Sequence, residues 1–130
     1  MAPNDVPPGL AVFVVEDEAL VALNLESMLD DLGCRVVGPA MRFDRAQAMI
    51  DEGVEADVAI LDVNIGGRSV FDLAVQIRER GIPILFATGY GRGGIPGEWQ
   101  HRPILQKPYT ERDVGRAIRE ALAGAERTGD

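Results

Sequence analysis

The chain has 130 residues, 46% of them hydrophobic and 26% charged, with a formal net charge of −8. That length supports one domain with a real core and is too short for two. The acidity and the lack of a basic stripe exclude a nucleic-acid-binding surface, and no apolar run approaches the roughly 20 residues of a membrane helix.

Residues 1–9 carry three prolines and are expected to form a disordered lead-in. They lack the basic start and apolar stretch of a signal peptide, which makes the expected location cytoplasmic. Leu10–Val15 is a continuous apolar run, as in a strand buried on both faces of a parallel sheet. A helix is predicted from about Glu18 to Leu32, striped by Val21, Leu25, Met28 and Leu32 and stopped by Gly33. Cys34 excludes an internal disulfide and is read as a packing residue. Arg35–Gly38 is the second strand, and Asp44 with Gln47 reads as a capping box opening a helix that buries Ala46, Met49 and Ile50.

Val58–Leu61 is the third strand; Ser69 and Asp72 bracket a helix start, Val70, Leu73, Ala74 and Ile77 form its stripe, and Gly81 closes it. Pro83 leads into strand Ile84–Ala87. Gly89 to Gly97 then holds five glycines and a proline in nine residues, which opposes a helix and predicts a loop or at most one helical turn. His101 in the same polar connection is read as a solvated surface histidine. A short strand, Ile104–Leu105, precedes a helix capped by Thr110, striped by Val114, Ala117, Ile118, Ala121 and Leu122, and ending near Gly124. Alternating strands and helices imply a five-stranded parallel sheet with right-handed crossovers and helices on both faces. Residues 10–124 form the expected domain, with 125–130 a flexible tail.

In open α/β sheets, ligands bind beyond the carboxyl ends of the strands. Glu16 and Asp17 end the first strand, Asp62 the third, Thr88 the fourth and Lys107 the fifth. Carboxylates crowded on one rim repel each other unless a cation compensates, and Mg²⁺, a hard ion that prefers oxygen, suits them. One carboxylate then remains as a nucleophile towards an activated phosphoryl group, with Lys107 neutralising phosphoryl oxygens and the Thr88 hydroxyl donating a hydrogen bond.

This order of residues resembles the receiver domain of two-component response regulators, and the resemblance spans roughly residues 10–124. It implies a (βα)5 flavodoxin-like fold with strand order 2-1-3-4-5, the fourth helix shortened or replaced by the glycine-rich loop. It further implies that Asp62 is the phosphorylated aspartate. Asp17 matches the principal Mg²⁺-binding acid (with Mn²⁺ as a substitute), and Glu16 its partner through metal-bound water. Asn64 matches the backbone-carbonyl ligand, Thr88 the switch hydroxyl, Lys107 the phosphate-binding lysine, and Pro108 the proline preceded by a cis bond. The implied partners are a sensor histidine kinase and either a histidine phosphotransfer protein or a downstream target, with no nucleic acid or membrane. The oligomeric state expected is a monomer or weak dimer.

The departures are informative. Ile65-Gly66-Gly67 replaces the usual Met-Pro, and Val70 stands where a glycine is usual. Ile104 replaces the aromatic switch residue, and the Thr88–Lys107 spacing is short. Phe86-Ala87-Thr88-Gly89-Tyr90 is similar to the atypical Phe-Ala-Thr-Gly-X-Tyr receivers, although Tyr90 here follows Gly89 directly. Tyr90 either takes over the switch role with Thr88 and Gly89 or packs over the site and limits water access. With no sequence after residue 124 for an output domain, the expectation is a stand-alone receiver that is not an enzyme. It would act by phosphorylation-dependent contact, as a phosphate sink or as a relay, a non-phosphorylated scaffold being the alternative. An aspartyl phosphatase is disfavoured because Asn64 stands where such enzymes need a second acid. A nucleotide or flavin binder is disfavoured because Glu16-Asp17-Glu18 would repel phosphate.

Overall fold

A computed structural model describes residues 6–128, with side chains through residue 125. Seven strands are present among the described residues: β1 (Ala11–Val15), β2 (Arg35–Ala40), β3 (Val58–Asp62), β6 (Ile84–Thr88) and β7 (Ile104–Gln106) build a five-stranded sheet, and β4 (Asn64–Ile65) and β5 (Arg68–Ser69) form a short hairpin between β3 and β6. All neighbours in the five-stranded sheet run parallel in the order β2-β1-β3-β6-β7, which is the expected 2-1-3-4-5 topology of a flavodoxin-like fold. The three central strands are buried at every position, as their unbroken apolar runs require when helices cover both faces.

Four helices supply that cover: α1 (Ala19–Asp31), α2 (Phe43–Asp51), α3 (Phe71–Glu79) and α4 (Glu111–Thr128). One core gathers Phe13, Leu61, Ile50, Leu73, Ile77 and Phe86 under α2 and α3. The other gathers Val12, Val14, Leu25, Leu29, Leu85 and Ile118 under α1 and α4.

Several local expectations are corrected. Helix α1 buries Ala22, Leu25 and Leu29, so the stripe lies one residue from the Val21, Met28 and Leu32 positions, which are half-buried. The Asp44–Gln47 capping box does not form, because α2 begins at Phe43. Gln47 instead exchanges amide hydrogen bonds of 2.7 and 3.0 Å with Gln76 of α3. Strand β2 runs on to Ala40 through a cis Gly38–Pro39 bond. Gly38 is required there, since it has φ +100° and a Cβ would come 2.7 Å from the Ala40 nitrogen. Helix α4 passes through Gly124 instead of ending there. Within the expected lead-in, Val6 is buried in the second core and the Gly9 amide donates to the Gly33 carbonyl, while Pro7, Pro8 and Gly9 are exposed. The rest of that lead-in, residues 1–5, and the last two residues of the predicted tail lie outside the described residues.

The connection from β6 to β7 contains no α-helix, as the glycines predict, but two short 3₁₀ turns, Gly91–Gly94 and Gly97–Trp99. Trp99 is fully buried, stacked on Phe71 at 6.3 Å and edge-on to Phe86 at 5.6 Å. The Gln100 amide donates to the carbonyls of Arg92 and Ile95, closing the loop on itself.

Candidate phosphoacceptor and metal site

Strands β1, β3, β6 and β7 all deliver their last residues to one rim of the sheet. Parallel register sets Val15 beside Leu61, Asp62 beside Ala87, and Thr88 beside Gln106. Glu16, Asp62 and Thr88 are buried there among apolar neighbours, the only polar or charged side chains so placed among the described residues.

Lys107 reaches across this rim. Its Nζ lies 2.8 Å from Asp62 Oδ2, 3.0 Å from Glu16 Oε1 and 3.5 Å from Glu18 Oε1. Burial alone would lower the Lys107 pKa, but hydrogen bonds to Asp62 and Glu16 outweigh it and the ammonium is held charged above its ordinary range. Glu16 is raised to about 7, first by burial and then by its hydrogen-bonding contact with Asp62, with Lys107 and the Glu18 amide pulling the other way. One ammonium does not satisfy this group of acids.

Glu16, Asp17, Glu18 and Asp62 each present an oxygen within 4.8 Å of the others. This set of hard oxygen donors, buried and crowded enough to raise the Glu16 carboxyl, fits a small divalent cation such as Mg²⁺. The Gly66 amide donates to Asp17 Oδ2 at 2.8 Å, and the Asn64 amide to Asp62 Oδ1 at 3.1 Å. Thr88 Oγ1 accepts from the Tyr90 amide at 3.0 Å, leaving its own proton to donate elsewhere. The Lys107 amide donates to the Thr88 carbonyl at 2.9 Å, and the Lys107–Pro108 bond is cis.

The structure therefore brings Glu16, Asp17, Asp62 and Lys107 together, ties Asn64 to Asp62, and holds Thr88 against Lys107 through the backbone. Tyr90 is 89% exposed, so its ring does not pack over the site. The sequence patterns assign no site role to three participants. Glu18 reaches Lys107 from the mouth of α1. Gly66 orients Asp17 from a hairpin that periodicity does not announce. Tyr109 lies beside the acids, its phenol pushed up to about 12 first by burial and then by the charge of Glu16. Cys34 is buried and His101 exposed, as expected.

Residues 12–119 match the Response regulator receiver domain family. The phyllosphere-induced regulator PhyR of Methylorubrum extorquens is 29% identical over 85% of this chain and 43% of its own length. The transcriptional regulatory protein TdiR of Thauera aromatica is 31% identical over 86% of this chain and 51% of its own. The chain thus spans about half the length of these curated relatives. The solution structure of SdrG from Sphingomonas melonis Fr1 superposes with a TM-score of 0.76 at 36% identity, covering 88% of this chain and 97% of that one.

Proposed function

The chain belongs to the response regulator receiver domain family, and from that premise we propose that it is a signalling receiver phosphorylated on Asp62. The observation that carries this is the buried Asp62 carboxylate, held by Lys107 at 2.8 Å inside a ring of three further acids. The likeness to SdrG, which covers 88% of this chain and 97% of that one, supports reading the sheet and its four helices as one receiver.

In the proposed reaction an Asp62 carboxylate oxygen attacks the phosphorus of a phosphohistidine on a sensor histidine kinase. The new O–P bond replaces the P–N bond, whose electron pair stays on the imidazole nitrogen and is protonated from solvent. Asp17 and Asp62, with Glu16 and the Asn64 carbonyl, would hold Mg²⁺. When bound, the ion would neutralise charge on the phosphoryl oxygens. Lys107, already charged and aimed at Asp62, moves with one phosphoryl oxygen and stabilises the product. Thr88 donates its hydroxyl proton to another.

We place the chain with the Phe-Ala-Thr-Gly-X-Tyr receivers, and read Thr88, Gly89 and Tyr90 as the switch. Support comes from the Tyr90 amide, already bonded to Thr88 Oγ1, and from a ring that is outside the site and available to move inward. Phosphorylation would then govern contact with a protein target, or onward transfer to a histidine phosphotransfer protein.

The test is incubation with acetyl phosphate and Mg²⁺. The wild type should gain one acid-labile phosphate and Asp62→Asn none; equal labelling of the two proteins would sink the assignment. Beryllofluoride added to ¹⁵N-labelled protein should move the amides of Thr88, Gly89 and Tyr90, and an unmoved segment would remove the switch role.

A further inference from the structure

The segment after Asp62, where this chain departs from its family, is a hairpin. Strand β4 (Asn64–Ile65) pairs antiparallel with β5 (Arg68–Ser69), Asn64 opposite Ser69 and Ile65 opposite Arg68. Gly66 and Gly67 make the two-residue turn with φ of +59° and +84°, a conformation that only glycine adopts without strain. Ile65 is buried and roots the hairpin in the core.

The turn faces the acids. Its Gly66 amide donates to Asp17 Oδ2 at 2.8 Å, and its Gly67 amide to Asn64 Oδ1 at 2.9 Å. The other side of the hairpin is clamped outside the site, to the start of α2. The Arg68 guanidinium lies 3.5 Å above the Phe43 ring centroid, and its Nη1 is 3.5 Å from Asp44 Oδ1.

We propose that Arg68 is a positioning residue for the acid pocket: by clamping the hairpin to Phe43 and Asp44 it fixes the Gly66 amide, and that amide holds the Asp17 carboxylate in the orientation a divalent cation requires. Hydrogen bonds from outside the coordination sphere commonly set metal affinity by about 10- to 100-fold, because they remove the freedom a ligand would otherwise lose on binding. The Asp44 pair is solvent-exposed on both sides, so by itself it contributes little to stability. Direct electrostatics and positioning also have opposite signs. Removing a cation near the pocket would strengthen Mg²⁺ binding, whereas loosening Asp17 would weaken it.

This inference rests on the Mg²⁺ site proposed above. Calorimetric titration of MgCl₂ into wild type, Arg68→Ala and Arg68→Lys tests it, together with the ¹⁵N order parameter of Gly66 in metal-free protein. Arg68→Ala should bind Mg²⁺ about 3- to 10-fold more weakly and show a more mobile Gly66 amide. Arg68→Lys, which keeps the charge and loses the planar stacking, should fall between. Unchanged or tighter binding by Arg68→Ala, or a Gly66 amide as rigid as in the wild type, would overturn the clamp. A wild type that takes up no Mg²⁺ would instead overturn the metal site, a result obtained before any variant is compared.

Discussion

Glu16 is where burial and charge are most at odds. Its carboxyl is raised to about 7 from an ordinary 4.5, so in the folded protein it keeps its proton through a range where the unfolded chain has lost it. A group shifted this way contributes stability that is complete below pH 4.5 and is lost as the pH rises through about 7. In EDTA, urea unfolding should therefore give a stability that falls between pH 5 and 7.5, and Glu16→Gln, which cannot ionise, should flatten that fall. In the proposed site Mg²⁺ would displace the same proton, so its affinity should rise over this interval. A wild-type Mg²⁺ affinity independent of pH from 6 to 8 would show that Glu16 stands outside the coordination equilibrium.

At the scale of elements, the glycine-rich connection between β6 and β7 is held by what it buries. Trp99 sits against Phe71 and Phe86 with its ring wholly covered, and Ile95 is buried beside it. Trp99→Ala should cost about 3–5 kcal/mol in chemical denaturation, the usual range for emptying a buried aromatic site. A loss below ~1 kcal/mol would mean that the loop is not anchored there. Helix α4 starts on a reciprocal cap: the Asp113 amide donates to Thr110 Oγ1 at 3.2 Å and the Thr110 amide to Asp113 Oδ2 at 2.9 Å. Thr110→Ala should cost about 1 kcal/mol by the same assay. The sequence announces these elements unequally. Continuous apolar runs mark β1, β3 and β6 because a strand covered on both faces has no polar side. The Thr110 cap is equally plain, since its signal is local. Asp44 and Gln47 imitate such a cap, yet Gln47 is claimed by Gln76 of another helix, a contact that no local pattern encodes. Trp99 is hidden for the same reason: its burial depends on Phe71 and Phe86, distant in sequence. Glu16, Asp62 and Lys107 were legible because each closes a strand, and topology gathers strand ends at one rim. Gly66 was not, because it acts through its backbone.

Across the whole molecule, the two cores flank a sheet whose carboxyl rim concentrates acid in a chain already at −8. Lys107 is the one cation among the described residues bonded to those buried acids, with a side chain only 17% exposed. Removing one partner from such a buried group leaves the others uncompensated, a loss of about 3–5 kcal/mol. Lys107→Ala should show that loss in metal-free buffer. Mg²⁺ should then stabilise the variant more than the wild type, because in the wild type the ion competes with an ammonium already bonded to Asp62 and Glu16. A ligand stabilises a fold by RT ln(1 + [L]/Kd), so the gap between the two Tm values should narrow as Mg²⁺ is raised and level off once both proteins are saturated. A lysine that served packing alone would leave a gap that no amount of Mg²⁺ closes. Thermal melts of both proteins over a Mg²⁺ series separate the two cases, and a constant difference in Tm would show that the cation and Lys107 do not share these carboxylates.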